Sequence, residues 1–226
     1  MPTAGLCLLC RQASDGRVCR PCQGALDALA IGPDHCMQCA LPLGQSGRVC
    51  GRCLSKRPAF DSAHIPYRYE FPLDYLIARY KFHGCRGSGA LLGQLFGRWL
   101  SQQQLPHPPE LILATPLHWR RLLKRGFNQA ETLARAASRA TGVAHGRRRL
   151  FKHRHTSDQH GLPRKERLAN IRGAFSAERV RGLHIALVDD VLTTGTTARE
   201  ISQCLRKAGA SSVQIWALAR TPEDGH

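Results

Sequence analysis

No apolar run in the sequence is longer than a strand, whereas a membrane-spanning helix needs about 20 apolar residues. Membrane insertion is therefore not expected. Residues 1–10 have neither a basic start nor a long apolar stretch, so no secretory leader is expected and the chain reads as cytoplasmic. Aromatic residues are scarce, at 6% of the chain. That disfavours a surface built for stacking on bases, so any contact with nucleic acid should be carried by its backbone. Acids are outnumbered as well: 33 Lys and Arg stand against 16 Asp and Glu, a formal net charge of +17. Much of the excess lies in residues 118–182, where 17 basic residues meet four acidic ones. Solubilising surfaces usually mix signs. A one-signed stretch is expected to attract polyanions such as pyrophosphate or a nucleic-acid backbone.

Ten cysteines are present, and eight of them form four Cys-x-x-Cys pairs within about fifty residues. Cys7, Cys10, Cys19 and Cys22 make one quartet; Cys36, Cys39, Cys50 and Cys53 make another. Without an export signal, this spacing favours metal over disulfides. Two such knuckles complete a tetrahedral Zn2+ site, and a segment this short cannot bury a core of its own. Two successive zinc ribbons are the simplest arrangement. Interleaved pairs, or a single occupied site, satisfy the spacing too. Either way the sites are closed, with no coordination position left for catalysis, so one or two structural Zn2+ ions are expected. His35 adjoins Cys36, but four thiolates already suffice. Cys204 precedes the core position Leu205 and reads as structural. Cys85 lies in a Gly-flanked segment with no evident base beside it.

The most informative stretch is 184–197. An apolar run ends in Asp189-Asp190, the loop Thr193-Thr194-Gly195-Thr196-Thr197 follows, and Ala198, Ile201, Leu205 and Ala208 then recur at helical spacing up to Gly209. A second apolar run, Val213 to Ala219, completes a strand–loop–helix–strand unit with a right-handed crossover. Open parallel sheets bind ligands at the C-terminal ends of their strands. There the loop can direct several N–H groups and hydroxyls at one anion, with the positive end of the helix behind them. The two carboxylates can accept hydrogen bonds from vicinal hydroxyls. A sugar phosphate satisfies both halves.

The strand, the acid pair and the Thr-Thr-Gly-x-Thr loop resemble the phosphoribosyl pyrophosphate (PRPP) site of type I phosphoribosyltransferases. Further residues resemble the ComF family (competence protein F, with GntX/YhgH-like relatives): Tyr80-Lys81-Phe82, Thr115-Pro116-Leu117-His118, Arg120, Arg125-Gly126-Phe127-Asn128-Gln129 and Leu133. Arg154, Thr156, Gln159, Leu162, Arg167, Asn170 and Gly173-Ala174-Phe175 extend the match, as do the paired cysteines, so that it spans nearly the whole chain.

The resemblance implies an α/β fold: a type I phosphoribosyltransferase-like core, a parallel sheet flanked by helices, with a small N-terminal four-cysteine zinc-ribbon module. It assigns Asp189 and Asp190 as catalytic residues holding the ribose 2′- and 3′-hydroxyls, and Thr193, Thr194, Gly195, Thr196 and Thr197 to the 5′-phosphate. Arg120, Lys124 and Arg125, with Arg121 beside them, suit a pyrophosphate loop. Arg154, Gln159 and Arg167 belong to a flexible loop that closes over the site and excludes water. Mg2+ accompanies PRPP, bridging ribose hydroxyls and pyrophosphate. The implied role is in DNA uptake during natural competence or in DNA utilisation. Single-stranded DNA is the expected partner, and a DNA-uptake helicase or recombination proteins are further candidates. An active PRPP-dependent glycosyltransferase of nucleotide metabolism and a non-catalytic PRPP-sensing regulator are the alternatives, because the sequence names neither a general base nor an acceptor pocket.

Along the chain, residues 1–57 are expected to form the double ribbon and 58–226 the phosphoribosyltransferase-like domain. Within the latter, 58–105 would be a hood and 106–226 the core. Pro58 to Asp61 reads as a linker. Residues 64–70 read as an extended segment that Pro66 confines to an edge or a start. Leu73, Leu76, Ile77 and Tyr80 mark a helix, and a second is expected over 89–103, broken by Pro106 to Pro109. Leu111 to Ala114 reads as a buried strand delivering 115–125, residues 128–139 as a helix, and Leu150-Phe151 as a short strand before the basic stretch 153–173.

Overall fold

The computed structural model describes residues 5–43, 48–154 and 171–222. In chain order, two short strands, β1 (Gly5–Leu6) and β2 (Ala13–Ser14), pair antiparallel ahead of helix α1 (Arg20–Asp27). Helix α2 (Gly51–Ser55) closes the cysteine-rich part. Then follow β3 (Ser62–His64), β4 (Tyr67–Arg68), α3 (Leu73–His83), α4 (Arg86–Ser101), β5 (Leu111–Ala114), α5 (Trp119–Arg125) and α6 (Gln129–Thr141). The remainder is β6 (Ala144–His145), β7 (Leu150–Lys152), β8 (Phe175–Ala177), β9 (His184–Leu192), α7 (Thr196–Lys207) and β10 (Ser212–Arg220).

The run that ends in the acid pair is β9, with Ile185 to Val188 fully buried. Burial on both faces requires an interior strand, and β9 does lie inside the sheet, whose order is β3-β10-β9-β5-β6 with every pairing parallel. Alternation along the strands divides the core in two. Ile112, Ala186, Val188, Trp216 and Leu218 face α3, α4 and α6. Leu111, Leu113, Ile185, Leu187, Val213 and Ile215 face α7 through Ala198, Ile201 and Leu205. The helices therefore cover both faces of a parallel sheet, which is the expected fold class.

Topology places a crevice at one edge of this sheet. From β5 the chain moves outward through α6 to β6, whereas from β9 it moves the opposite way through α7 to β10. Adjacent strands whose connections diverge open a gap at their C-terminal ends. Thr115 extends the pairing by one rung, its N–H donating to the Val188 carbonyl at 2.9 Å, beyond which β9 continues to Leu192 beside β10 alone.

Several elements refine the sequence reading. The extended segment near 64–70 is two edge strands, β3 and β4, both pairing with β10 and interrupted at Ile65-Pro66. The helix expected from Gly89 begins earlier, at Arg86, because Cys85 has the extended conformation of an N-cap. Asn128 is the cap of α6 rather than its first residue; its side-chain oxygen accepts from the Ala130 N–H at 3.1 Å. The stretch 119–125, expected as a loop, is a short helix capped by His118, whose Nδ1 accepts from the Arg120 N–H at 3.3 Å. Among the described residues no helix is long and apolar enough to cross a membrane.

Candidate functional site

A cavity of about 760 Å³ opens in the crevice beyond β5 and β9. Its walls bring together Thr115, Asp189, Asp190 and Thr193 from the strand ends, Arg121, Lys124 and Arg125 from α5, and Lys81 to Gly84 from the end of α3. Each wall has a local cause. The acids lie in the last half of β9, just past the point where β5 stops, between buried Val188 and buried Leu192. The acid carboxylates cap their own chain: Asp189 Oδ1 accepts from the Asp190 N–H and Asp190 Oδ1 from the Val191 N–H, both at 2.9 Å. Asn128 donates from Nδ2 to the Thr115 carbonyl at 2.9 Å, which folds 115–128 back on itself and brings α5 to the rim. Arg125 is steadied by Gln129, Nη1 to Oε1 at 2.8 Å. On the far wall, Tyr80 stacks on Phe127 at 4.5 Å and shares a hydrogen bond with Thr132 at 2.7 Å. A Cβ at position 89 would stand 2.5 Å from the Tyr80 ring, so glycine there admits the ring that ties α3 to α4 and α6.

The electrostatics of this cavity are uneven. Burial, then the Asp190 carboxylate, push the Asp189 carboxyl well above its ordinary 3.8, against the opposing pull of the Asp190 amide and the Thr115 hydroxyl. Lys152, at the end of β7, is brought down to about 8 by burial and by Arg121, while Asp189 pulls the other way. A cation and a carboxyl thus sit close enough to feel one another, with basic α5 on the same side. Such a site favours an anion that brings hydroxyls with it. Lys152 appeared in the sequence only as one member of a basic run; its position at the root of 153–173 was the available signal.

The threonine loop bounds the cavity at Thr193 and then turns away. Gly195 has φ +75°, a conformation that side chains resist, and it caps α7, whose first residues are Thr196 and Thr197. Thr194 and Thr196 share a hydrogen bond between hydroxyls at 3.0 Å. Thr194 and Gly195 line a second cavity of about 240 Å³ behind the loop, together with Arg52, Lys56, Arg199 and Arg220. Of the expected pyrophosphate residues, Lys124 and Arg125 face the main cavity. Arg120 is exposed with its guanidinium 5.3 Å over the Trp119 ring, and Arg121 lines the wall in its stead. Arg154 is exposed. Gln159 and Arg167 lie outside the described residues.

The eight paired cysteines form two clusters, Cys7, Cys10, Cys19, Cys22 and Cys36, Cys39, Cys50, Cys53, each with its sulfurs within 4.8 Å of one another. The pairing is successive, not interleaved. Four sulfurs about 2.3 Å from a tetrahedral Zn2+ stand about 3.8 Å apart. The Cys10–Cys19 and Cys39–Cys50 sulfurs are separated by 3.5 and 3.7 Å. In each cluster the third cysteine donates its N–H to the first sulfur, Cys19 to Cys7 at 3.4 Å and Cys50 to Cys36 at 3.3 Å. Burial works against ionisation of Cys7, yet the N–H groups of Cys10, Cys19 and Leu9 bring it to about 6; in the same way Cys50, Cys39 and Gln38 bring Cys36 to about 7. Burial and the neighbouring sulfurs raise other members, Cys22 to about 12 and Cys39 to about 11, so the fit to a structural zinc ribbon rests on the spacing of the four sulfurs.

No family model matches the chain. It is 36% identical over 224 residues to DNA utilization protein YhgH of Salmonella typhi, covering 96% of this chain and 97% of the relative. It is 33% identical over 224 residues to competence protein F of Haemophilus influenzae, covering 95% and 96%. Competence protein ComFC of Streptococcus pneumoniae is 28% identical over 216 residues, with 94% and 92% covered. Among solved structures, glutamine PRPP amidotransferase from B. subtilis, complexed with ADP and GMP, superposes with a TM-score of 0.41 at 25% identity. That match covers 57% of this chain and 26% of the amidotransferase.

Proposed function

The chain belongs to the family of DNA utilization protein YhgH and competence protein F, and we propose on that footing that it is a cytoplasmic sugar-phosphate-binding protein of DNA uptake and utilisation, with PRPP as its small ligand and single-stranded DNA as its partner. The observation that carries the reading is the cavity itself: an acid pair, Thr193 at the start of the threonine-rich loop and a basic helix converge at the topological switch point of a parallel sheet.

The parts divide a PRPP-like molecule among them. Asp189 and Asp190 accept hydrogen bonds from the ribose hydroxyls. The loop 193–197 takes the 5′-phosphate with main-chain N–H groups and hydroxyls at the start of α7. Arg121, Lys124 and Arg125 on the wall face the pyrophosphate and offset its charge, with Lys152 behind them within the influence of Arg121 and Asp189, in a cavity of the size that encloses a small ligand. If pyrophosphate leaves C1, these cations stabilise it, and shielding the anomeric carbon from water decides which nucleophile enters. Asp189 and Asp190 would be the residues to hold an Mg2+ ion that came with the donor. Such an ion would neutralise part of the pyrophosphate charge. Each four-cysteine cluster would hold one structural Zn2+ through its four thiolates. The exposed Arg147, Arg148 and Arg154 beside β7 continue the positive surface outward for a DNA backbone.

Calorimetric titration with PRPP and Mg2+ tests the cavity. Wild type is expected to bind, and Asp190→Asn to bind about tenfold more weakly. Absence of heat from wild type, or equal binding by an Asp189→Asn/Asp190→Asn double variant, would defeat the reading. For DNA, anisotropy of a labelled single strand should fall steeply with salt and respond little to base composition. An affinity indifferent to salt contradicts backbone contact.

A further inference from the structure

We infer that the second cysteine ribbon positions the threonine loop from behind, through Arg220 and Arg52. The Leu192 and Thr193 carbonyls accept from Arg220 Nη1 at 3.1 and 2.8 Å, and the Thr194 carbonyl accepts from Arg52 Nη2 at 3.3 Å. Three consecutive carbonyls are therefore held on one side by guanidinium groups. Both guanidinium groups are set by the ribbon. Arg220 is buried at the end of β10 and donates from Nε to the carbonyl of Cys39, a cluster residue, at 3.0 Å. Arg52 lies between Cys50 and Cys53 on α2. A third tie joins Arg199, in α7, to the Arg57 carbonyl at 3.5 Å.

The consequence follows from the planar trans peptide, in which the C=O of one residue and the N–H of the next point in opposite directions. Holding the carbonyls of 192, 193 and 194 toward the ribbon turns the N–H groups of Thr193, Thr194 and Gly195 away from it. The guanidinium charges further polarise those peptides in the sense that makes the N–H ends more positive. Arg220 and Arg52 are positioning residues: neither needs to touch the anion, and both fix the dipoles that do. This inference rests on reading the loop as an anion site, but the ordering it describes exists before any ligand arrives.

The test therefore begins without ligand. In the full-length, zinc-loaded chain, 15N order parameters of Thr193, Thr194 and Gly195 are measured for wild type, Arg52→Ala and Arg220→Lys. Arg79→Ala serves as control; it frees the Leu8 carbonyl of the first ribbon, a 3.3 Å bond. Wild type is expected near 0.85, with both loop variants falling toward about 0.6 and the control unchanged. Zinc content should remain two per chain in all four. PRPP titration of the same proteins should then show about tenfold weaker binding for the loop variants only. Unchanged order parameters in Arg52→Ala overturn the inference even where wild type binds PRPP. Lowered order parameters in a protein that binds no PRPP sustain the strut and sink the anion reading instead. Arg52 is exposed, so its variant carries the test if Arg220→Lys fails to fold.

Discussion

The two cysteine ribbons are near copies in local geometry and opposites in surroundings. In both, the residue after the second cysteine has positive φ, 66° at Arg11 and 54° at Ala40, and the third cysteine caps a helix. In both, that same residue donates its N–H to the carbonyl of the first cysteine, Arg11 to Cys7 at 3.1 Å and Ala40 to Cys36 at 2.7 Å. Yet Cys10 is exposed, whereas Cys36, Cys50 and Cys53 are buried. The first ribbon rests on the α3–α4 side of the core through Leu26 and Leu29. The second abuts the threonine loop, and its Ala40 joins the core on the α7 face. The same four-cysteine geometry thus stands in two settings: one cluster packs on a helical layer, the other on the back of the candidate site. A cluster's role is decided by what packs on it, and ligand spacing alone does not reveal it.

The strongest way to break this contrast is to remove one ligand from each cluster. Cys53→Ser is expected to release the second metal, slacken the loop and weaken PRPP binding about a hundredfold. Cys10→Ser, at the exposed cluster, should lose its metal and some thermal stability while PRPP binding stays within about threefold. Zinc content, melting temperature and titration on the same preparations decide it. Equal losses of affinity in the two variants would mean that the ribbons act as one unit and that the contrast is only one of exposure.

How far such a contrast could be read in advance depends on whether its cause is local. The acid pair, the loop and the quartets were legible, because each is set by residues within one strand, turn or knuckle. The strand order was partly legible: two apolar runs flanking a helix specify a crossover. The helix α5 was not, since its only punctuation is the His118 cap and Gly126, and its basic residues suit a loop equally well. Arg220 was invisible for another reason. It follows the apolar run of 213–219, and only the register placing it opposite Leu192 shows that it reaches the loop. Contacts between residues as distant as Cys39 and Arg220 depend on packing that no short-range pattern encodes.

A second experiment sharpens the comparison by opposing the loop's back to its front. Loss of a ribbon ligand behind the loop should lower stability, whereas Asp189→Asn in front should raise it, because burial and Asp190 disfavour the Asp189 carboxylate. The native carboxyl titrates above its ordinary 3.8. Folding therefore takes up a proton between pH 4 and the raised native value, and wild-type stability falls as pH rises through that window. Asp189→Asn lacks this fall. Its melting temperature should match wild type near pH 4 and exceed it by about 3 °C above the window. Thermal melts across that range check it. A gap that shrinks as pH rises would show that the Asp189 carboxylate is favoured by the fold, and that front and back of the loop are stabilised alike.

The smallest effect belongs to Lys152, which neither ribbon carries and which should respond identically whichever ribbon is damaged. Held to about 8 by burial and Arg121, its ammonium loses charge as pH rises from 7 to 9, well before an ordinary lysine at 10.5. Among the described residues, the groups facing it include Arg121, Asp189 and the Phe175 ring, 5.6 Å away. Asp189 and, more weakly, the Phe175 ring favour the charged form, and a bound pyrophosphate, with more negative charge, favours it further. Linkage then requires affinity for pyrophosphate to weaken above pH 8, until the complex itself begins to lose the proton. Pyrophosphate gains charge over the same range, which works the other way, so the informative quantity is wild type divided by Lys152→Arg at each pH. That ratio should fall about threefold between pH 7 and 9, in wild-type and in Cys10→Ser backgrounds alike, while Lys152→Met stays weak throughout. A flat ratio would place Lys152 outside the anion's reach and leave α5 as the sole source of charge on that wall.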